Sequence, residues 1–287
     1  MSMILKKHTN VIIYILISVT LSACTTTGTA QKITDKAIVN WGTDEGINRL
    51  EESRYKVDFF KLANHFESQN NKLFCGPASA TIVLNALRVR NSALSLPEDK
   101  SLLNDSDQQL IAASKTWSPL FQRYSQNNIF IKSPKSRALV LGEVLRDAKG
   151  TVLIGINGKT KKDRGFQLHQ LGELFTAHGL STKVVVVQQG MSDQVIKAEL
   201  IENLTTSDDY VIINYKRTVL NQLGGGHLSP LGAYHKASDS FLVMDVTPNK
   251  ADWVWVKSEL IISAMRTFDT VENRGYLLLS EQANKLK

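Results

Sequence analysis

The chain has almost no cysteine. It carries two, Cys24 and Cys75, in 287 residues. A framework of disulfides is therefore excluded, and so is tight binding of soft metals by several thiolates. The six histidines, His8, His65, His169, His178, His227 and His235, are dispersed, and no His/Cys/Asp cluster has metal-ligand spacing. There is no Gly-rich loop to cradle phosphates and no basic stripe with interleaved aromatics, so nucleotides and nucleic acid are poor partners. Internal repeats are not evident. The net charge of +7 is spread along the chain except for the run 159–164, Lys-Thr-Lys-Lys-Asp-Arg. That run suits phosphate or anionic lipid, or simply a solvated loop.

Only one apolar stretch approaches membrane length, and it is at the N-terminus. Lys6 and Lys7 precede residues 11–21, Val-Ile-Ile-Tyr-Ile-Leu-Ile-Ser-Val-Thr-Leu. This is too short for a stable span and reads as an export signal. Leu21-Ser22-Ala23-Cys24 resembles the lipobox of bacterial lipoproteins. The resemblance implies that residues 1–23 are a leader and that Cys24 is acylated. Residues 24–42 then form a lipidated, flexible tether, and 43–287 remain as the domain it carries. The acyl chains exceed what stable anchoring needs. The implied location is the bacterial cell envelope, with the outer membrane favoured because Thr25 is not an inner-membrane retention Asp.

With Cys24 consumed, Cys75 is a lone thiol. The apolar run 78–87 reads as a buried helix with Cys75 at its first turn, and Pro77 suits a turn whose amides lack intrahelical partners. A helix N-terminus lowers a thiol's pKa and stabilises the thiolate. Taken alone, the position equally suits a small buried core residue.

The remaining pattern predicts helices early and strands late. Helices are expected within 43–67 and over 75–88, 143–147, 168–178, 195–204 and 259–265, with 90–118 polar and irregular. Strands are expected at 151–156, 183–187 (buried), 210–215, 227–234, 241–246 and 276–279. This predicts an α+β fold with an antiparallel sheet. A Cys-bearing helix packed on a His-bearing sheet is the architecture of a papain-like cysteine hydrolase fold.

His227 follows Gly224-Gly225-Gly226 and opens a strand, and Asp245 ends the next strand 18 residues on. An Asp one strand over can orient the imidazole, so Cys75, His227 and Asp245 suit nucleophile, base and orienting acid. Gln69, six residues before Cys75, can supply a side-chain donor to an oxyanion hole together with the Cys75 N–H. Each residue also has a structural reading, as a strand-end His or a turn Asp. Their co-occurrence favours catalysis.

Gln69-x5-Cys75-Gly76, Gly225-Gly226-His227-Leu-Ser229-Pro230-Leu-Gly-Ala-Tyr234 and Leu242-Val-Met-Asp245-Val246 resemble the phytochelatin synthase family. So do Val211-Ile-Ile-Asn-Tyr215-Lys-Arg217 and Trp255-Val256 followed by Ala264-Met265. The resemblance runs from about residue 55 to residue 280. It implies that the Cys thiolate cleaves the Cys–Gly bond of glutathione, releases glycine and holds γ-Glu-Cys as a thioester for water or a second glutathione. It implies catalytic roles for Cys75, His227, Asp245 and Gln69. Asp269 and Arg274 would bind the γ-glutamyl head, with Tyr215 and Arg217 as supporting site-lining residues. No cofactor is required, and cadmium or zinc enters as metal thiolate substrate or activator. The partners implied are glutathione and its metal thiolates, plus the membrane through the lipid anchor.

The chain departs from the family at Asp245-Val-Thr-Pro248-Asn-Lys250, where Pro248 stands in place of the usual Arg. No Cys-rich C-terminal region follows within this sequence, as in the short bacterial members, for which hydrolysis outweighs polymer synthesis. Two other readings stay open. One is a cysteine peptidase that removes Gly-Gly leaders, which shares the Gln-x5-Cys-Gly pattern. The other is a non-catalytic thiol- or metal-binding lipoprotein.

Overall fold

The computed structural model describes residues 36–282 apart from 102, 113–117 and 119. The leader, Cys24 and most of the tether lie outside the described residues. The described chain runs β1 (Ile38–Asn40), α1 (Asp44–Glu52), α2 (Phe59–Asn64), α3 (Cys75–Arg88), α4 (Asp105–Ala112) and α5 (Arg137–Leu141). Then come α6 (Leu168–Ala177), β2 (Leu180–Val186), α7 (Asp193–Asn203), β3 (Tyr210–Lys216) and β4 (Gly226–His235). It closes with β5 (Ser240–Val243), β6 (Val254–Lys257), α8 (Ser258–Met265) and β7 (Gly275–Glu281). None of these helices is long and apolar enough to cross a membrane.

The strands form one seven-stranded sheet in the order β1-β6-β5-β4-β3-β7-β2, and every pairing is antiparallel. The α+β expectation holds. Helix-period and strand-period patterns in the sequence become helices and strands because each needs a covered apolar face. Both faces of the sheet are covered. Ile212, Leu228, Ala233, Leu242 and Leu277 pack with α3 and α6 residues such as Ile82 and Leu171. Val211, Ile213, Tyr215, Phe241 and Val243 pack with Ile196 of α7 and Ile261 of α8 on the other face. This explains why Tyr210–Lys216 reads as a continuous apolar run rather than an alternating one.

Several boundaries differ from expectation. Residues 143–147 are extended rather than helical: Val144 bridges Lys162, Arg146 bridges Val152, and Ile154 bridges Thr160. Leu153 N–H donates to Leu145 O (2.8 Å), Lys161 N–H to Leu153 O (2.8 Å), and Leu145 N–H to Lys161 O (2.9 Å). Three short segments eight residues apart thus close on one another, a recurrence that composition alone does not reveal. β2 is half-buried, not buried, because it is an edge strand. β5 stops at Val243, so Asp245 lies two residues past the strand rather than at its end. α4 occupies part of the stretch expected to be irregular. Ile38–Asn40, assigned to the tether, is the other edge strand, and Trp41 beside it packs on Trp253 with ring centroids 4.6 Å apart.

Candidate active site

α3 starts at Cys75 itself, with Pro77 inside its first turn, and is buried along most of its length between the sheet and α6. Ser79 Oγ donates to Leu228 O on β4 at 3.2 Å. That bond fastens the nucleophile helix one residue beyond His227. β4 carries His227 at its second position, paired with Tyr215 of β3. The chain then turns back through β5, leaves the sheet, and delivers Asp245 to the same place.

His227 Nε2 lies 3.0 Å from Asp245 Oδ1. A carboxylate only accepts, so Nε2 carries the proton and Nδ1 is left to face the thiol. Burial raises the Cys75 pKa, but the hydrogen bond and charge of His227, with backbone hydrogen bonds from Leu228 and Gly76, outweigh it and lower the pKa overall. Burial disfavours the charged imidazole, yet bonds to Asp245 and Cys75 hold the His227 pKa above its ordinary value. The two shifts favour a thiolate–imidazolium pair. Burial also opposes ionisation of Asp245, but His227 and then Arg217 hold its carboxyl far below the usual range.

Tyr215 and Arg217, expected as supporting site residues, are both fully buried and hold the acid. Tyr215 OH donates to Asp245 Oδ2 at 3.0 Å, and Arg217 Nη2 donates to Asp245 Oδ1 at 2.7 Å. β3 turns Tyr215 toward the Asp245 loop, and the short 3₁₀ turn Arg217–Leu220 does the same for Arg217.

Sequence reasoning missed Thr247. Its N–H donates to Asp245 Oδ1 (2.8 Å), and its Oγ1 lies 2.6 Å from Arg217 Nη2, 3.3 Å from His227 Nε2 and 3.4 Å from Gln69 Oε1. One residue thus joins acid, guanidinium, imidazole and amide, the acid through its N–H and the other three through its hydroxyl. The signal was present: an Asp whose side chain accepts from the amide two residues on makes an Asx turn, and Asp245-Val-Thr247-Pro has that form.

Gln69 is tied to the acid loop by its own N–H, which donates to Val246 O at 2.8 Å. Its Nε2 donates to Asn71 O at 2.7 Å, which leaves the second amide hydrogen for another acceptor. The N–H groups at the start of α3 likewise have no intrahelical partner.

Asp269 and Arg274 meet as an ion pair, Nη2 to Oδ1 at 2.6 Å. Asn214 Nδ2 donates to Asp269 Oδ2 (3.1 Å), and Arg274 Nη1 donates to Thr267 Oγ1 (3.0 Å). Arg274 is buried and its Nε has no hydrogen-bond partner. A Cβ at Gly226 would sit 2.8 Å from Arg274 Nη2, so the guanidinium packs against the strand one residue before His227, where only glycine fits. Among the described residues, no group of three His, Cys, Asp or Glu is placed to hold a metal.

The phytochelatin synthase family model matches residues 29–100 and 107–276. Glutathione gamma-glutamylcysteinyltransferase 3 of Lotus japonicus is 27% identical over 225 residues, covering 78% of this chain and 37% of that protein. The glutathione gamma-glutamylcysteinyltransferase of Schizosaccharomyces pombe is 25% identical over 240 residues, covering 83% of this chain and 47% of that protein. Glutathione gamma-glutamylcysteinyltransferase 2 of Arabidopsis thaliana is 26% identical over 225 residues, covering 77% and 39%. The chain spans less than half the length of these curated relatives. It belongs to the phytochelatin synthase family.

Proposed function

We propose that this member of the phytochelatin synthase family is a papain-like thiol enzyme that cleaves the Cys–Gly peptide bond of glutathione through a Cys75 thioester. The observation that carries the reading is the buried chain Cys75–His227–Asp245, with the Asp269–Arg274 pair beside His227.

The Cys75 thiolate attacks the carbonyl carbon of the glutathione cysteine, forming the C–S bond. The oxyanion is met by the free Gln69 amide hydrogen and the Cys75 N–H. His227 gives its proton to the departing glycine nitrogen as the C–N bond breaks. γ-Glu-Cys remains as the thioester. His227, now neutral, takes a proton from water, which attacks and releases the dipeptide. If the α-amine of a second glutathione attacks instead, the product is (γ-Glu-Cys)2-Gly. Arg274 receives the α-carboxylate of the γ-glutamyl head and Asp269 its ammonium, a charge-assisted pairing on both sides. Cadmium or zinc thiolates of glutathione serve as alternative substrates. Acylation of Cys24 places the enzyme on a bacterial envelope membrane.

Mass spectrometry after incubation with glutathione, with and without cadmium, tests the reading. Glycine and γ-Glu-Cys are the expected products. Cleavage of a Gly-Gly leader peptide with no action on glutathione would identify a leader peptidase instead.

A further inference from the structure

The triple turn at 144–162 takes no part in the chemistry above. Its turn 155–158 is closed by Gly155 N–H donating to Lys159 O at 2.8 Å, with Gly158 at φ +70°. The side chain at the turn, Ile156, is completely exposed (110% of its reference area), and Ile154 is 55% exposed. Beside them Lys159, Lys161, Lys162 and Arg164, all exposed, line a concavity of about 840 Å³ together with Ile156. The one acid of the run, Asp163, faces away: it pairs with Lys135 at 2.8 Å and accepts from Gln170 Nε2 at 2.6 Å. The four cations are left without neutralisation from within their own segment.

We propose that this turn is a docking element for an anionic phospholipid surface. A free polyanion would account for the cations but not for an isoleucine at the tip. A bilayer accounts for both. Ile156 enters the acyl boundary, while the long basic side chains reach back to the phosphates. The element is rigidly placed relative to the chemistry. Two residues after Arg164, the Phe166 ring lies 3.1 Å from where a Cβ on Gly76 would be, directly after the nucleophile. The inference is independent of Cys24 acylation and of the proposed substrate.

Thr34–Lys287 is a compact unit by itself, so a chain beginning at residue 25, which cannot be acylated, is the test protein. It should co-sediment with vesicles rich in phosphatidylglycerol, not with pure phosphatidylcholine, and lose binding as salt rises. Lys159→Gln, Lys161→Gln and Lys162→Gln should each weaken binding roughly fivefold. Ile156→Ser should weaken it further, and Ile156→Trp should show a blue-shifted emission on anionic vesicles. An unchanged rate of Cys75 alkylation verifies that the variants are folded. Equal binding to neutral vesicles overturns the proposal, as does no binding to either. So does full binding by Ile156→Ser that inorganic polyphosphate competes away, which would mark a pocket for free anions.

Discussion

Arg217 donates to the same Asp245 oxygen that His227 approaches: Arg217 Nη2 lies 2.7 Å from Oδ1, and His227 Nε2 lies 3.0 Å from it. Both partners of the Arg217–Asp245 pair are buried. Arg217→Met therefore leaves a buried carboxylate without its cation and should destabilise the fold by about 3–5 kcal/mol. Arg217→Lys should recover only part, since an ammonium does not present the guanidinium's fixed fork to Asp245 and Thr247 together. Urea unfolding of the three proteins reads this directly. Equal stability of wild type and Arg217→Met would remove the pair from the fold's support.

The depressed Asp245 pKa has a pH signature in stability. A carboxyl whose folded pKa lies below its unfolded value stabilises the fold above about pH 4, and that contribution is lost as pH falls toward the folded pKa. Wild-type stability should drop through this acid range, and Asp245→Asn, which has nothing to titrate there, should show a shallower acid limb. Parallel pH profiles for the two proteins would contradict the assignment.

Catalysis should separate the triad members. Cys75→Ser and Cys75→Ala should abolish glycine release while the protein stays folded. Asp245→Asn should lower kcat by roughly 10²–10⁴-fold through a misoriented imidazole. Iodoacetamide should alkylate wild-type Cys75 well below the ordinary thiol pKa of about 8.5, and His227→Ala should move that profile upward because burial is then opposed only by the backbone hydrogen bonds of Leu228 and Gly76. An unshifted alkylation profile in His227→Ala would sever the thiol–imidazole link.

The proposed recognition of the γ-glutamyl head by Arg274 has a direct test. Arg274→Ala should cost about 1.5–3 kcal/mol in kcat/KM for glutathione. Because Arg274 is also held by Thr267 and Asp269, the decisive comparison is between substrates. The loss should vanish for an analogue lacking the free α-carboxylate. Equal losses on both would make Arg274 purely structural.

In the proposed mechanism, the exposed loop after Asp245 bears on the fate of the acyl-enzyme. Pro248 has neither charge nor donor for a second, anionic glutathione. Arg217 is no substitute, since Asp245 and Thr247 hold it. Lys250 remains: its Nζ is 3.5 Å from where a Cβ on Gly224 would sit, at the glycine run before His227. Water should dominate as acceptor, giving mainly γ-Glu-Cys, and Lys250→Ala should reduce the residual (γ-Glu-Cys)2-Gly further. A glutathione titration with both products quantified settles the balance, and dominance of the longer peptide at high glutathione would make the chain a synthase.

Much of the scaffold was legible in the residues. The run 78–87 announced α3 because a buried helix needs a long apolar segment, and Gly179, at φ +83°, ended α6 as its position suggested. β3, β4, α8 and β7 were placed within a residue or two for the same reason. β1 and β6 were not: three and four residues carry too little periodicity to stand out, and they are fixed by pairing, β1 on β6 and β6 on β5. Cys75, His227 and Asp245 were found by residue type and spacing, and the fold brings them together.

What tertiary structure alone decided is direction. Tyr215 and Arg217 looked like pocket residues, and Thr247 like an ordinary loop residue. Their work is set by contacts around Asp245, and those of Tyr215 and Arg217 with Asp245 and of Thr247 with His227 join positions 20–30 residues apart through strand register and a turn. By itself, the sequence determined which segments must be buried and which side chains can carry thiol chemistry, because local periodicity and residue type are written in it directly. The orientation of each buried polar group was determined only by the packed sheet, because a hydrogen bond depends on distance and angle between elements that sequence spacing does not measure.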